Sequence, residues 1–198
     1  MSEADTCREY VLPRLYAAGW DDDRIAEQRT FTDGRIIVTG AKVRRRPQKR
    51  ADYLLRYRAD FTIAVVEAKP AYKTPGDGLQ QAKDYAQILG LKFAYATNGN
   101  GIVEFDFLTG QERELEAFPA PDDLWTRLTQ APGLTPEAAA RLLTPAHHLS
   151  GKSPRYYQEI AINRAVQAIL QGKRRQGQNY QHYPRGPGSL GGHGGIAR

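Results

Sequence analysis

The chain has 198 residues, which is enough for one well-packed domain with appendages but short for two full domains. Its 40% apolar and 25% charged content are those of a globular protein, and the formal net charge of +6 favours a polyanionic partner over an acidic one. A single cysteine excludes an internal disulfide, and no apolar run approaches the roughly 20 residues that span a bilayer. We therefore expect a cytoplasmic protein with no membrane partner.

The first quarter of the chain mixes helical and strand-like patterns. Residues 3–18 have the apolar spacing of an amphipathic helix, which Gly19 should end, and residues 22–28 are predicted to form a short helical turn. A strand is predicted at residues 35–39. Residues 42–50 hold six cations and are predicted to form a solvated loop.

The middle of the chain predicts a sheet with one helix. The apolar runs 51–57 and 61–67 are separated by a short turn and predict a β-hairpin. Residues 79–89 predict a helix that ends at a glycine, and a further strand pair is expected at residues 92–96 and 102–107.

The last third is predicted to be helical and then unstructured. Residues 122–128, 136–143 and 155–170 are expected to form helices. Residues 176–198 are rich in glycine and nearly free of aliphatic side chains, so they cannot bury enough surface to offset the entropy of ordering. This tail is predicted to be disordered.

The most informative segment is the apolar run that ends in Glu67-Ala68-Lys69. Side chains alternate along a strand, so Glu67 and Lys69 are expected on the same face at the end of a core strand. Asp52 opens the preceding strand, and a hairpin turning near residues 58–60 brings it opposite residue 66 or 67. An acid–acid–lysine group is therefore predicted at one end of the sheet.

The helix that follows can add two polar side chains to this group. Gln81 and Tyr85 are spaced i, i+4 and share one helix face. Two carboxylates are oxygen ligands of the kind that Mg²⁺ prefers, and Asp52 and Glu67 are the candidate metal ligands. A bound Mg²⁺ would polarise a scissile phosphate, and Lys69 could orient or deprotonate the attacking water or neutralise developing charge.

These residues resemble the PD-(D/E)xK nuclease superfamily. Asp52, Glu67-Ala68-Lys69 and the added Gln81-x-x-x-Tyr85 are similar to the subgroup of RecB-like nucleases and type I restriction (R) subunits. The resemblance implies that all five of these residues serve catalysis. Ala51 stands where the superfamily name has proline, and Glu27 is a weak match to an acidic residue that some members carry on the first core helix.

A second resemblance lies near the carboxy terminus. Residues 154–165 are similar to the helix that opens the motor of superfamily 2 translocases, and Gln158 matches the glutamine that contacts the adenine of ATP. No phosphate-binding loop of the type GxxxxGK[ST] follows. We therefore expect no ATPase activity from this chain and interpret it as an R subunit truncated before the ATP-binding loop of the motor.

The basic segment before Asp52 is the candidate DNA contact. Cations contact phosphates and supply affinity rather than sequence reading. A purely solvated loop is the alternative. The expected DNA-binding residues are Arg44, Arg45, Arg46, Lys49 and Arg50.

The predicted elements and the resemblance together imply an α/β protein with a restriction-endonuclease-like central mixed sheet flanked by helices. The expected parts are a nuclease domain (1–115), a helical linker (116–152), the first helix of a truncated motor (153–175) and the disordered tail (176–198). The implied activity is Mg²⁺-dependent cleavage of double-stranded DNA, with modification and specificity subunits of a type I restriction complex as partners. The alternatives are a catalytically idle module that docks DNA or subunits, and a generic α/β domain whose Glu-x-Lys is a surface ion pair.

Overall fold

The structure is a computed structural model that describes residues 7–31, 36–39, 42–45, 48–58, 60–131 and 134–143, and the single positions 158, 161, 164, 165 and 168. It begins with a π-helical turn, Cys7–Val11, followed by helix α1, Leu12–Ala17. Pro13 lies in the first turn of α1, where its missing N–H is not needed. Gly19 follows with a φ of 88°, so the helix ends where the glycine predicts.

Six strands form one mixed sheet. Their order is β1-β4-β5-β6-β7-β8, and β2 and β3 form a separate two-stranded sheet. Neighbours in the large sheet are antiparallel except β5 and β6, which are parallel. The strands are β1 Ile25–Phe31, β2 Ile36–Thr39, β3 Lys42–Arg45, β4 Lys49–Arg58, β5 Phe61–Ala68, β6 Phe93–Thr97, β7 Ile102–Asp106 and β8 Gln111–Leu115.

Helix α2, Leu79–Leu89, forms the crossover between the parallel strands β5 and β6. A short 3-10 turn, Pro75–Gly78, precedes it, and Gly90 ends it in the left-handed conformation with a φ of 75°. Two further helices follow the sheet, α3 at Pro121–Thr129 and α4 at Pro136–Leu142. The sequence predicted all three helices to within one residue or two.

Apolar side chains form two main cores, one on each face of the large sheet. Neighbouring residues of the central strands point into different cores. Val66 belongs to the first core and Val65 to the second. The first core also contains residues of α1, α3 and α4, and the second contains the apolar face of α2. Helix α2 therefore lies over the face of β5 toward which Val65 points.

The helical turn expected over Asp22–Gln28 is wrong, because the chain forms β1 from Ile25 onward. Six residue pairs join β1 to β4 in antiparallel register. Ile25 and Ala26 are adjacent and give no helical period that could outweigh this ladder of backbone hydrogen bonds. Glu27 consequently occupies an exposed strand position and not the first core helix, which corrects its proposed match to the acidic residue there.

The prediction of a loop over residues 42–50 is also wrong for most of these residues. Lys42–Arg45 forms β3, and Lys49 and Arg50 begin β4. Cations do not prevent strand formation in an antiparallel ribbon, because the backbone ladder supplies its hydrogen bonds. Strand β8, Gln111–Leu115, was not predicted; four of its five residues are exposed, so it has no apolar alternation.

The carboxy-terminal predictions fall largely outside the described residues. Within the stretch 155–170, positions 158, 161, 164, 165 and 168 are helical. Arg164 donates hydrogen bonds to the backbone carbonyls of Gln87 (2.6 Å) and Ile88 (3.0 Å) near the end of α2. The tail 176–198 lies outside the described residues. None of the helices in the described ranges combines the length and apolar character needed to cross a membrane.

Candidate active site

Two buried carboxylates occupy adjacent positions at one end of the central strands. Tyr53 of β4 pairs with Val66 of β5, so the antiparallel register places Asp52 next to Glu67, as the hairpin predicts. Asp52 is 4% exposed and Glu67 is 1% exposed. Oδ2 of Asp52 accepts a hydrogen bond of 2.9 Å from the backbone N–H of Ala68, which ties the Asp52 side chain to the end of β5.

The Gln81 amide links Glu67, Lys69 and Tyr85. Its Nε2 donates to Oε2 of Glu67 at 2.7 Å and to the Tyr85 hydroxyl oxygen at 3.0 Å. Its Oε1 accepts from Nζ of Lys69 at 3.0 Å. The orientation of the amide is fixed by chemistry, because a carboxylate only accepts and an ammonium only donates. Helix α2 thus orients the Glu67 carboxylate of β5 and the ammonium of Lys69, which follows β5, with one side chain.

Tyr85 closes the side of this group nearest α2. Burial raises the pKa of its hydroxyl above the usual value, so the group stays neutral at physiological pH. Its ring meets the Phe31 ring edge-on with centroids 5.0 Å apart, and Nζ of Lys49 lies 5.3 Å from its centroid. Lys49 therefore brings a cation of the predicted DNA-binding set to the edge of the site.

Two residues that the sequence did not single out also contact the site. Nε2 of Gln28, on β1, donates to Oδ1 of Asp52 at 3.3 Å. Gly78 faces the stem of Lys69, because a Cβ built there would lie 3.3 Å from both Cγ and Cε of the lysine. A contact of Gly78 with the site could have been predicted, because this residue lies at the start of the helix that carries Gln81. No feature of the sequence indicates a contact by Gln28.

The other predicted functional residues are spread more widely. Arg44 and Arg45 are on β3, Arg50 is an exposed residue of β4 beside Lys49, and Arg46 lies outside the described residues. Gln158 is at an exposed helical position. Its match to an adenine-contacting glutamine stays a prediction.

The donor set suits a hard divalent cation. Two buried carboxylates at adjacent positions repel each other, and a cation near them reduces this cost. Among the described residues, no group of three or more His, Cys, Asp or Glu side chains could hold a metal ion. Asp52 and Glu67 therefore offer two protein ligands. Mg²⁺ commonly binds through one or two carboxylates, with water and substrate phosphate completing its shell. The pair therefore fits Mg²⁺ and fits poorly a metal that needs a complete cage of protein ligands.

A second polar cluster lies on the other side of the molecule, between β7, β8 and α3. Glu104, fully buried, accepts hydrogen bonds from Arg127 (2.8 Å), Arg113 (2.6 Å) and the Tyr95 hydroxyl (2.6 Å). Asp106 also pairs with Arg127, at 2.7 Å. A cavity of about 370 Å³ opens beside these groups. Because both carboxylates are paired with arginines, the cluster is better suited to holding α3 on the sheet than to chemistry.

The chain is similar to known subunits of type I restriction enzymes. No family model matches the chain. The type I restriction enzyme EcoAI endonuclease subunit of Escherichia coli is 37% identical over 185 residues, which cover 88% of this chain and 23% of that subunit. A solved fragment assigned as an HsdR subunit of a type I restriction enzyme from Vibrio vulnificus YJ016 is 59% identical, with a TM-score of 0.74, and the match covers 87% of this chain and 33% of that one.

The chain thus spans about a quarter of the length of the curated relative and a third of the length of the solved fragment. The likeness extends over most of the present chain in both sequence and fold. It confirms the predicted α/β restriction-endonuclease-like fold, with its mixed sheet and flanking helices. The chain is therefore a homologue of the endonuclease (HsdR) subunits of type I restriction enzymes.

Proposed function

We propose that the chain carries a Mg²⁺-dependent endonuclease site of the PD-(D/E)xK type that hydrolyses phosphodiester bonds in double-stranded DNA. The observation that carries the proposal is the convergence of Asp52, Glu67 and Lys69 at one sheet end, with Gln81 joining Glu67 and Lys69. The name of the Escherichia coli relative, an endonuclease subunit, supports the same activity here.

Asp52 and Glu67 would hold the metal ion. Both carboxylates are anchored by hydrogen bonds from neighbouring donors, the backbone N–H of Ala68 for one and the amide of Gln81 for the other. Anchored ligands lose little freedom when a cation binds, which favours binding. When bound, Mg²⁺ polarises the scissile phosphate and lowers the pKa of a coordinated water.

Lys69 supplies the positive charge beside the carboxylates. Its ammonium is 3.0 Å from Oε1 of Gln81, on the strand face that carries Glu67. A cation held there can orient the attacking water and neutralise charge that develops on the phosphate. Tyr85 keeps its proton because burial raises its pKa, so it serves to orient Gln81 or the DNA backbone and does not act as a base at neutral pH.

The basic residues of β3 and of the start of β4 would contact the DNA backbone. Lys49 lies beside the site, with its Nζ 5.3 Å from the centroid of the Tyr85 ring. Contacts of this kind supply affinity without sequence preference, so target choice falls to other subunits. In this proposal the partners are double-stranded DNA and the modification and specificity subunits of a type I restriction complex.

Cleavage of supercoiled plasmid with Mg²⁺ or Mn²⁺ tests the proposal. Glu67→Ala and Lys69→Ala should each lower the cutting rate by about 10²-fold or more, because each removes charge that acts in the transition state. Lys83 and Glu112 form an ion pair of 3.2 Å elsewhere on the surface and provide the matched control. Lys83→Ala and Glu112→Ala should cut like the wild type.

DNA retention measured on the same proteins separates an enzyme from a docking module. The proposal fails if the wild type retains DNA but shows no metal-dependent cutting, or if Glu67→Ala cuts as fast as Glu112→Ala. Either result would favour a domain that keeps the nuclease fold only to dock DNA or subunits.

A further inference from the structure

Strand β1 keeps one pairing register with β4 throughout but contains a left-handed residue, Gln28. This is the one non-glycine residue with a positive φ, 48°, among those that the structure describes. L-residues other than glycine, asparagine and aspartate rarely adopt the left-handed region, because Cβ crowds the following carbonyl. Strained backbone of this kind persists where the surroundings fix it and is frequent at functional sites.

The residues of β1 on either side of Gln28 differ in which face of the sheet they follow. Ala26 and Phe31 are five positions apart, yet both belong to the core beneath α2. Regular alternation would place them on opposite faces. The change of face occurs where the left-handed residue lies, and beyond it Phe31 packs against the ring of Tyr85. This change of face does not explain why the side chain at position 28 is glutamine.

The register shows what the side chain faces. Glu27 pairs with Tyr53 and Arg29 pairs with Ala51, so Gln28 lies across from Asp52. Its amide Nε2 donates to Oδ1 of Asp52 at 3.3 Å. Gln28 is itself exposed, but the carboxylate it reaches is buried. The two oxygens of Asp52 thus have donors on opposite sides, Gln28 from β1 and the N–H of Ala68 from β5.

We propose that Gln28 is a positioning residue that sets the rotamer of Asp52 for metal binding, and that the strained backbone directs its amide at the carboxylate. The inference rests on the proposed nuclease function and adds a residue to it. Groups that orient a metal ligand without touching the metal commonly change metal affinity or activity by 10-fold to 100-fold when they are removed. Because glycine is the residue best suited to a positive φ, the role of the side chain can be separated from that of the backbone.

Gln28→Gly is the informative variant, because it keeps the left-handed backbone and removes only the amide. We expect its melting temperature to equal that of the wild type or to rise by up to about 3 °C, since the strain is relieved. We expect its Mn²⁺ affinity, measured by electron paramagnetic resonance, to fall about 10-fold. The metal concentration for half-maximal cutting should rise in proportion, with the KM for DNA changed less than about twofold.

Gln80→Ala is the matched control. Gln80 is exposed on α2, and its amide donates to the Asp84 carboxylate at 2.8 Å. This hydrogen bond joins the same two chemical groups as that between Gln28 and Asp52, but it lies away from the site. This variant should keep the Mn²⁺ affinity and the cutting rate. Gln28→Asn should resemble Gln28→Gly, because asparagine tolerates the left-handed region but is one methylene too short to reach Asp52.

Two outcomes overturn the inference. One is an unchanged Mn²⁺ affinity in Gln28→Gly, and the other is a melting temperature that falls together with activity, which shows a structural role only. Failure of the proposed function has a different signature, because Glu67→Ala would then bind Mn²⁺ and cut DNA like the wild type. If Mn²⁺ binding depends on Glu67 but not on Gln28, the nuclease proposal stands and the role of Gln28 is rejected.

Discussion

The aliphatic stem of Lys69 lies against Gly78 at the start of the helical segment that carries Gln81. A methyl group at position 78 would be 3.3 Å from two carbons of Lys69 and 3.5 Å from Cβ of Ala96. The first two contacts are tighter than most side chains accept, and the buried Ala96 leaves little room on the other side. A glycine is needed here for close approach, since its φ of −91° suits any residue.

Gly78→Ala should therefore displace the Lys69 ammonium by a few tenths of an ångström. We expect the rate of DNA cutting to fall about threefold to tenfold, because small displacements of catalytic groups are costly. Gly76→Ala is the control, since a Cβ there meets nothing within 4 Å. Plasmid cutting at saturating metal compares the two, and equal rates would show that the position of Lys69 tolerates the shift.

At the scale of secondary structure, the sequence predicted those elements whose apolar pattern is strong. Strand β5 has apolar residues on both faces because it is buried between β4 and β6, and helix α2 has one apolar stripe and a glycine stop. Both were predicted correctly, and with them the convergence of Asp52, Glu67 and Gln81. The geometry of the proposed site was accessible because its residues lie on or beside strands and a helix with strong apolar patterns.

Two of the missed elements, β1 and β8, are exposed strands. In β1 four of seven residues are exposed, and in β8 four of five, so neither shows the alternation on which a strand prediction depends. Their pairing partners, not their own residues, fix their conformation. The contact between Gln28 and Asp52 could not be predicted for the same reason, since it requires the register of β1 and a left-handed residue within it.

Helix α3 is held on the sheet by Arg127, which pairs with Glu104 at 2.8 Å and with Asp106 at 2.7 Å. Arg127→Met would leave the fully buried Glu104 with less compensating charge. We expect the free energy of unfolding in urea to fall by about 3 kcal/mol. Arg113 also contacts Glu104, but its side chain is half exposed, so Arg113→Met should cost no more than about 1 kcal/mol. Equal losses in the two variants would contradict this ranking.

At the scale of the whole molecule, the net charge of +6 is compatible with a DNA partner. Several cations precede Asp52 directly, on β3 and at the start of β4, so that part of the positive charge is close in sequence to the carboxylate pair. The proposed DNA binding at this surface should weaken steeply with salt, because each neutralised phosphate releases counterions.

Arg44→Gln combined with Arg45→Gln should weaken DNA binding similarly for every DNA sequence. The slope of log K against log salt should become shallower by about 2, one unit for each phosphate that is no longer neutralised. Arg8→Gln with Arg141→Gln removes the same charge from two exposed helical positions and serves as control. Fluorescence anisotropy from about 50 to about 200 mM salt measures both pairs, and identical slopes would exclude a phosphate contact by β3.

The left-handed residue in β1 also bears on how the protein behaves in a crowded solution. Strands β1 and β8 are the two outer strands of the large sheet, and an outer strand can act as a template for a strand of another chain. A regular row of backbone amides and carbonyls along the outer edge is needed for such growth, and the left-handed residue Gln28 makes the backbone irregular in the middle of β1. Strand β8 presents Glu112, Arg113 and Glu114 to solvent instead. Each outer strand of the sheet thus has a feature that disfavours pairing with a strand of a second molecule.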